Sequence, residues 1–124
     1  MKQANAKQKQ WMCDIAEWAQ DNLYVLYGDE YNDSHLPIEL HHVVGRSAKQ
    51  NKIAIGHEFI LPVPVKLHNV MSNHTDNVTH FKKNFVKRFG TQRGLFADMV
   101  AVMRAQGYVV PDIYVLSAIG DTSA

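Results

Sequence analysis

A single cysteine, Cys13, stands in the 124-residue chain, so no disulfide can close within it and no cysteine-built zinc ribbon can form. With no secreted disulfide scaffold in view, a reducing cytoplasm is the expected setting. No apolar run approaches the roughly 20 residues needed to span a bilayer, so no membrane partner is expected. The opening stretch, MKQANAKQKQ, is basic but has no apolar stretch behind it, so it does not read as a signal peptide. An excess of charge is lacking too. Thirteen Lys and Arg against twelve Asp and Glu leave a net charge of +1, which argues against coating nucleic acid by bulk charge but leaves room for a local basic face. Internal repeats and low-complexity linkers are also missing.

What remains is ordinary in bulk: 46% hydrophobic and 20% charged residues, enough for one domain around one modest core. The histidines are less ordinary. Of seven, six (His41, His42, His57, His68, His74 and His80) fall within forty residues. Histidine is the commonest metal ligand and a frequent general base. His35, in a polar stretch, reads as plain surface.

Periodicity divides the chain. Trp11, Ile15 and Trp18, widened by Met12, Ala19 and Leu23, form the apolar stripe of a helix over residues 2–23. Residues 24–37 are polar and turn-rich and read as a loop. The segment 38–44, IELHHVV, is strand-like and closed by Gly45. A polar loop follows over 46–56. Residues 58–63 form a second strand, kept short or at an edge by Pro62 and Pro64, which lack backbone donors. A helix beginning near Val65 carries His68, and 73–79 is a turn. A helix over 80–89 carries Phe81, Phe85 and Phe89 and stops at Gly90. Another, over 92–106, carries Leu95, Phe96, Met99, Val102 and Met103 and stops at Gly107. Pro111 fits the first turn of a short last helix over 112–119, and the terminal GDTSA reads as frayed. These elements make one domain over 1–124, of α+β class. It comprises an N-terminal helix (1–23), a short antiparallel ribbon plus helix (38–74), basic and amphipathic helices (80–106) and a short last helix (111–119).

The order of elements, a His-His strand, a basic loop, a short strand and a His-bearing helix, suits a one-metal nuclease site. Phosphodiester hydrolysis needs a deprotonated water, neutralised phosphoryl charge and help for the departing oxygen. A histidine serves as base near neutral pH, and a divalent cation supplies the rest. Two adjacent histidines in an apolar strand must in any case find polar partners. Strict strand alternation would send His41 and His42 to opposite faces, so the two can share one site only if the strand is irregular there, and their roles are open to exchange.

The ordered residues Leu40-His41-His42-Val43, then Gly56-His57-Glu58-Phe59-Ile60-Leu61-Pro62-Val63, then Leu67-His68, then Phe85-Val86-Lys87-Arg88-Phe89-Gly90-Thr91-Gln92 resemble the HNH (His-Me finger, ββα-metal) endonuclease superfamily. They are most similar to the phage Ref-like, RecA-dependent nucleases. The resemblance covers roughly residues 38 to 97. It implies a ββα-metal core with His42 as general base and His41 and His68 as ligands of one divalent ion, Zn or Mg. It implies a further ligand from His74 or His80. It also implies that His57 orients the base or contacts phosphate. Two positions depart from the family: its cysteine is Pro64 here, and the first histidine of its helical pair is Leu67. An accessory zinc site on that cysteine is therefore not expected.

Lys82, Lys83, Lys87, Arg88 and Arg93 form a run with no acid between Asp76 and Asp98. A charge run usually marks a solvated helix face. Beside a candidate metal site in an otherwise neutral chain, it is the expected footprint for phosphates. Arg46, Lys49 and Lys52 in the loop would grip the same backbone. No base-reading motif is visible, so little sequence specificity is expected. The expectation is a metal-dependent DNA endonuclease acting on a duplex, a single strand or a recombination intermediate, with a RecA-type filament as a partner that only the resemblance implies. The competing readings are a non-catalytic, metal-stabilised nucleic-acid-binding module and a small interaction protein whose histidines are structural.

Overall fold

A computed structural model describes residues 3–68, 76–79 and 81–124. Helix α1, Ala6–Tyr27, opens with a reciprocal cap. Asn5 Oδ1 accepts from the Gln8 N–H and Gln8 Oε1 accepts from the Asn5 N–H, both at 2.8 Å. Its buried face carries Trp11, Ile15, Trp18, Ala19 and Leu23 as the periodicity requires. The helix runs four residues past Leu23, because Leu26 and Tyr27 continue the same stripe and Gly28, at φ 97°, is the first residue suited to end it. A 3-10 turn, Asp29–Tyr31, then buries Tyr31.

Strand β1, Ile38–His42, pairs antiparallel with β4, Ile60–Pro64, in a two-stranded ribbon with Leu40 opposite Pro62 and His41 opposite Leu61. The prolines fix which groups face which way. Pro62 and Pro64 cannot donate, so the narrow hydrogen-bonded pairs are Glu39–Val63 and His41–Leu61, and the proline positions face the outer edge. There the Tyr27 hydroxyl donates to the Pro62 carbonyl at 2.7 Å, tying α1 to the ribbon. Between the strands, where a plain loop was expected, β2 (Lys49–Gln50) and β3 (Ile53–Ala54) form a small hairpin. Its two turn residues, Asn51 and Lys52, both take positive φ (53° and 66°), the conformation of a tight two-residue hairpin loop.

Helix α2, Val65–His68, follows β4 directly. Helices α3 (Lys82–Phe89), α4 (Gln92–Ala105) and α5 (Ile113–Gly120) complete the α+β fold. Thr91 caps α4, and Asp112 caps α5 through its side chain, so Pro111 lies before the cap rather than in the first turn. The core joins α1, β4 and α4 through Trp18, Phe59, Ile60, Leu61, Phe96, Met99 and Met103. Within the Phe81–Phe85–Phe89 stripe, Phe85 is fully buried, Phe89 is partly buried, and Phe81 is 43% exposed, so the helix buries one and a half of its three expected anchors. The terminal residues are packed rather than frayed. Thr122 is buried and donates to the Ile119 carbonyl, and Arg93 holds the segment through the Gly120 and Thr122 carbonyls.

Candidate metal centre

Alternation along β1 places Glu39 and His41 on one face of the ribbon and His42 on the other. On the first face, His41 meets His68, which α2 presents one turn after β4. His41 Nδ1 lies 3.1 Å from His68 Nε2, with ring centroids 4.9 Å apart. Behind each imidazole stands an oxygen: Glu39 Oε1 is 2.9 Å from His68 Nδ1, and Gln92 Oε1 is 2.9 Å from His41 Nε2. Two nitrogens bound to one metal at about 2.0–2.1 Å sit about 2.9–3.4 Å apart, for right-angle to tetrahedral geometry. The His41–His68 spacing falls inside that window. A carboxylate behind a histidine is also the usual outer support of a metal ligand. The two imidazoles therefore fit a divalent cation. Burial, the adjacent His68 and, more weakly, the charges of His42 and Lys82 push the His41 pKa down to about 4, while the bond to Gln92 opposes them. His41 is thus neutral, as a ligand must be. Among the described residues no group of three or more His, Cys, Asp or Glu side chains converges on one point. His74 and His80, the expected further ligands, lie outside the described residues.

On the other face, His42 approaches His57 with ring centroids 6.1 Å apart. His42 Nε2 is buried and has no hydrogen-bond partner among the described residues. Its pKa is lowered by burial, then by Arg46 and His57. His42, His57 and Arg46 share an open cleft of about 310 Å³ with Lys9 and Met12 of α1 and with Gln3 and Ala4. One glycine makes this packing possible. A Cβ on Gly56 would collide with the carbonyl oxygens of Gly45 and Arg46, so only glycine lets the loop after β1 cross the chain just before His57.

The strand thus brings His41 together with His68, and His42 together with His57, as separate pairs. The ribbon pairing stays regular through His42, opposite Ile60, so the irregularity that would unite both pairs at one point is not present. Lys82, Lys83 and Lys87 are exposed on α3, and Arg46, Lys49 and Lys52 are exposed on the loop and hairpin. Two expected phosphate contacts have other work. Arg88 pairs with Asp76 at 2.8 Å and with Glu30, and Arg93 anchors the terminal residues. Sequence reasoning missed Glu39, Gln92 and Lys9. Glu39 was within reach of it, since it lies two residues before His41 on the same strand face. Gln92, 51 residues away, closes the last stretch that resembles the family, but nothing local marked it as a partner of His41.

Comparison with protein-family models, curated proteins and solved structures gave no match. Among the described residues, no helix is long and apolar enough to cross a membrane.

Proposed function

We propose that this chain is a metal-dependent nuclease of the HNH type that hydrolyses phosphodiester bonds in DNA. The observation that carries the reading is the His41–His68 pair, two imidazole nitrogens 3.1 Å apart with the Glu39 carboxylate behind one of them. When bound there, a divalent cation would neutralise phosphoryl charge and stabilise the departing oxygen. The remaining chemistry belongs to the chain. His42, kept neutral by burial and then by Arg46 and His57, is the residue that would accept a proton from water. Arg46 and Lys9, across the same cleft, attract the phosphate and orient it. The exposed Lys82, Lys83 and Lys87 hold the backbone on either side.

The separation of those pairs on opposite faces favours a second reading, a non-catalytic module whose metal only stabilises the fold and whose lysines bind nucleic acid. Plasmid nicking and metal stoichiometry on three variants decide between them. For the nuclease, His42→Ala loses about 10²–10⁴-fold in rate while still binding metal and DNA. His41→Ala and His68→Ala instead lose metal, with partial rescue by excess. A His42→Ala variant that cuts as fast as the parent sinks the nuclease reading, and a parent that binds metal and DNA without cutting establishes the second one.

A further inference from the structure

Gln92 is an uncharged residue, 3% exposed, at the first position of α4, and its side chain reaches the candidate metal pair. We propose that Gln92 is the positioning residue that fixes the tautomer of His41, with the hydrogen on Nε2 and a lone pair on Nδ1 directed at the point His68 also faces. The inference rests on the metal-centre reading above and adds to it the residue that sets the ligand's donor atom.

A neutral imidazole carries one N–H and one bare nitrogen, and its neighbours decide which is which. The Gln92 oxygen, 2.9 Å from His41 Nε2, can only accept, so the hydrogen sits on Nε2 and Nδ1 is bare. The Glu39 carboxylate, 2.9 Å from His68 Nδ1, likewise can only accept, so in neutral His68 the hydrogen sits on Nδ1 and Nε2 is bare. The two bare nitrogens are the ones that face each other at 3.1 Å. Two lone pairs at that distance repel; below neutral pH a proton on His68 Nε2 can bridge them, and above it a metal cation satisfies both. Turning the Gln92 amide over gives the opposite chemistry. Its NH₂ would donate to His41 Nε2, His41 Nδ1–H would donate to His68 Nε2, and the chain of donors and acceptors would close with no lone pair left for a cation. When both rings are neutral, one amide orientation therefore separates a metal-binding pair from a hydrogen-bond relay. Burial of Gln92 keeps water from taking over the acceptor's role. The backbone at this point is itself fixed, since Thr91 Oγ1 caps α4 by accepting from the Gly94 N–H at 3.0 Å.

The test uses the full chain, with zinc alone as the probe. The ¹⁵N signals of the His41 ring are recorded in chelator above neutral pH, and zinc affinity is measured by calorimetry for the parent, Gln92→Leu and Gln92→Glu. The metal-free parent should show His41 with its hydrogen on Nε2. Gln92→Leu should redistribute that hydrogen and weaken zinc binding about 10–100-fold, the usual cost of removing an outer support. Gln92→Glu, which can only accept at neutral pH, should keep the Nε2–H form and bind zinc at least as tightly as the parent. A metal-free parent with the hydrogen on Nδ1, or a Gln92→Leu variant with parental zinc affinity, overturns the proposal. A parent that binds no zinc yet shows the Nε2–H form, lost in Gln92→Leu, upholds the tautomer assignment while removing the metal-centre reading. Should Gln92→Leu fail to fold, the parental spectrum and Gln92→Glu still decide.

Discussion

His41 couples the candidate metal site to stability through its proton. In the unfolded chain a histidine titrates near 6.5, whereas folding, through burial and then the neighbouring His68, pushes this one down to about 4. Between those values the unfolded state binds the extra proton, so stability falls as pH drops from about 6.5 to about 4 and levels off below. The loss is at most about 3 kcal/mol, and less to the extent that solvent screens a partly exposed ring. Chemical denaturation in chelator at pH 7.5 and pH 4.5 should show it, and His41→Gln should flatten the difference. An unchanged slope in that variant would mean that another group carries the acid sensitivity. At this scale the sequence exposed half of the site. Apolar neighbours on a β-strand marked His41 and His42 as groups needing partners, and alternation already separated their faces. Gln92 and the Glu39–His68 link depend on how α2 and α4 settle against the ribbon. No local pattern records that.

Elements differ in how well their periodicity foretold their burial. In α3 the three phenylalanines share a spacing but not an environment, because Phe81 stands just before the first helical residue and is 43% exposed, while Phe85 is fully buried. Phe85→Ala should cost about 3–5 kcal/mol in denaturant melts, whereas Phe81→Ala should stay within about 0.5 kcal/mol. Equal costs would show that the helix enters the core differently. The basic residues of the same helix divide in a similar way. Lys83→Ala and Lys87→Ala should each flatten the log–log salt dependence of duplex binding by roughly 0.9 per lost phosphate contact. Arg88→Ala should change that slope little, because its guanidinium is already held by Asp76 and Glu30. A slope sensitive to Arg88 but not to the lysines would move the DNA path off this face. The β2–β3 hairpin escaped the sequence reading because its turn uses Asn51 and Lys52 in left-handed conformations, and lysine gives no warning of that.

For the whole molecule, one crossing of backbone at Gly56 sets the Gly45–Arg46 loop against the chain leading into His57 and so shapes the cleft. Gly56→Ala would push the loop carrying Gly45 and Arg46 away from the chain leading into His57. It should both lower stability by more than about 1 kcal/mol and weaken DNA binding, while leaving zinc affinity near the parental value. Melting and binding curves on the same preparation test both halves. Zinc itself should raise the melting temperature of the parent, since a ligand at about 100 times its Kd adds roughly 2.7 kcal/mol to the folded state. His68→Ala should show no such rise.

The ribbon that carries these histidines has one further property, set by Pro62 and Pro64. Their positions point to the outer edge of β4, and neither offers an N–H there. With the Pro62 carbonyl already taken by Tyr27, that edge gives an incoming strand almost nothing to pair with. An edge of this kind cannot template the growth of a sheet, so β4, the buried and more apolar strand of the ribbon, is protected from edge-to-edge pairing on that side.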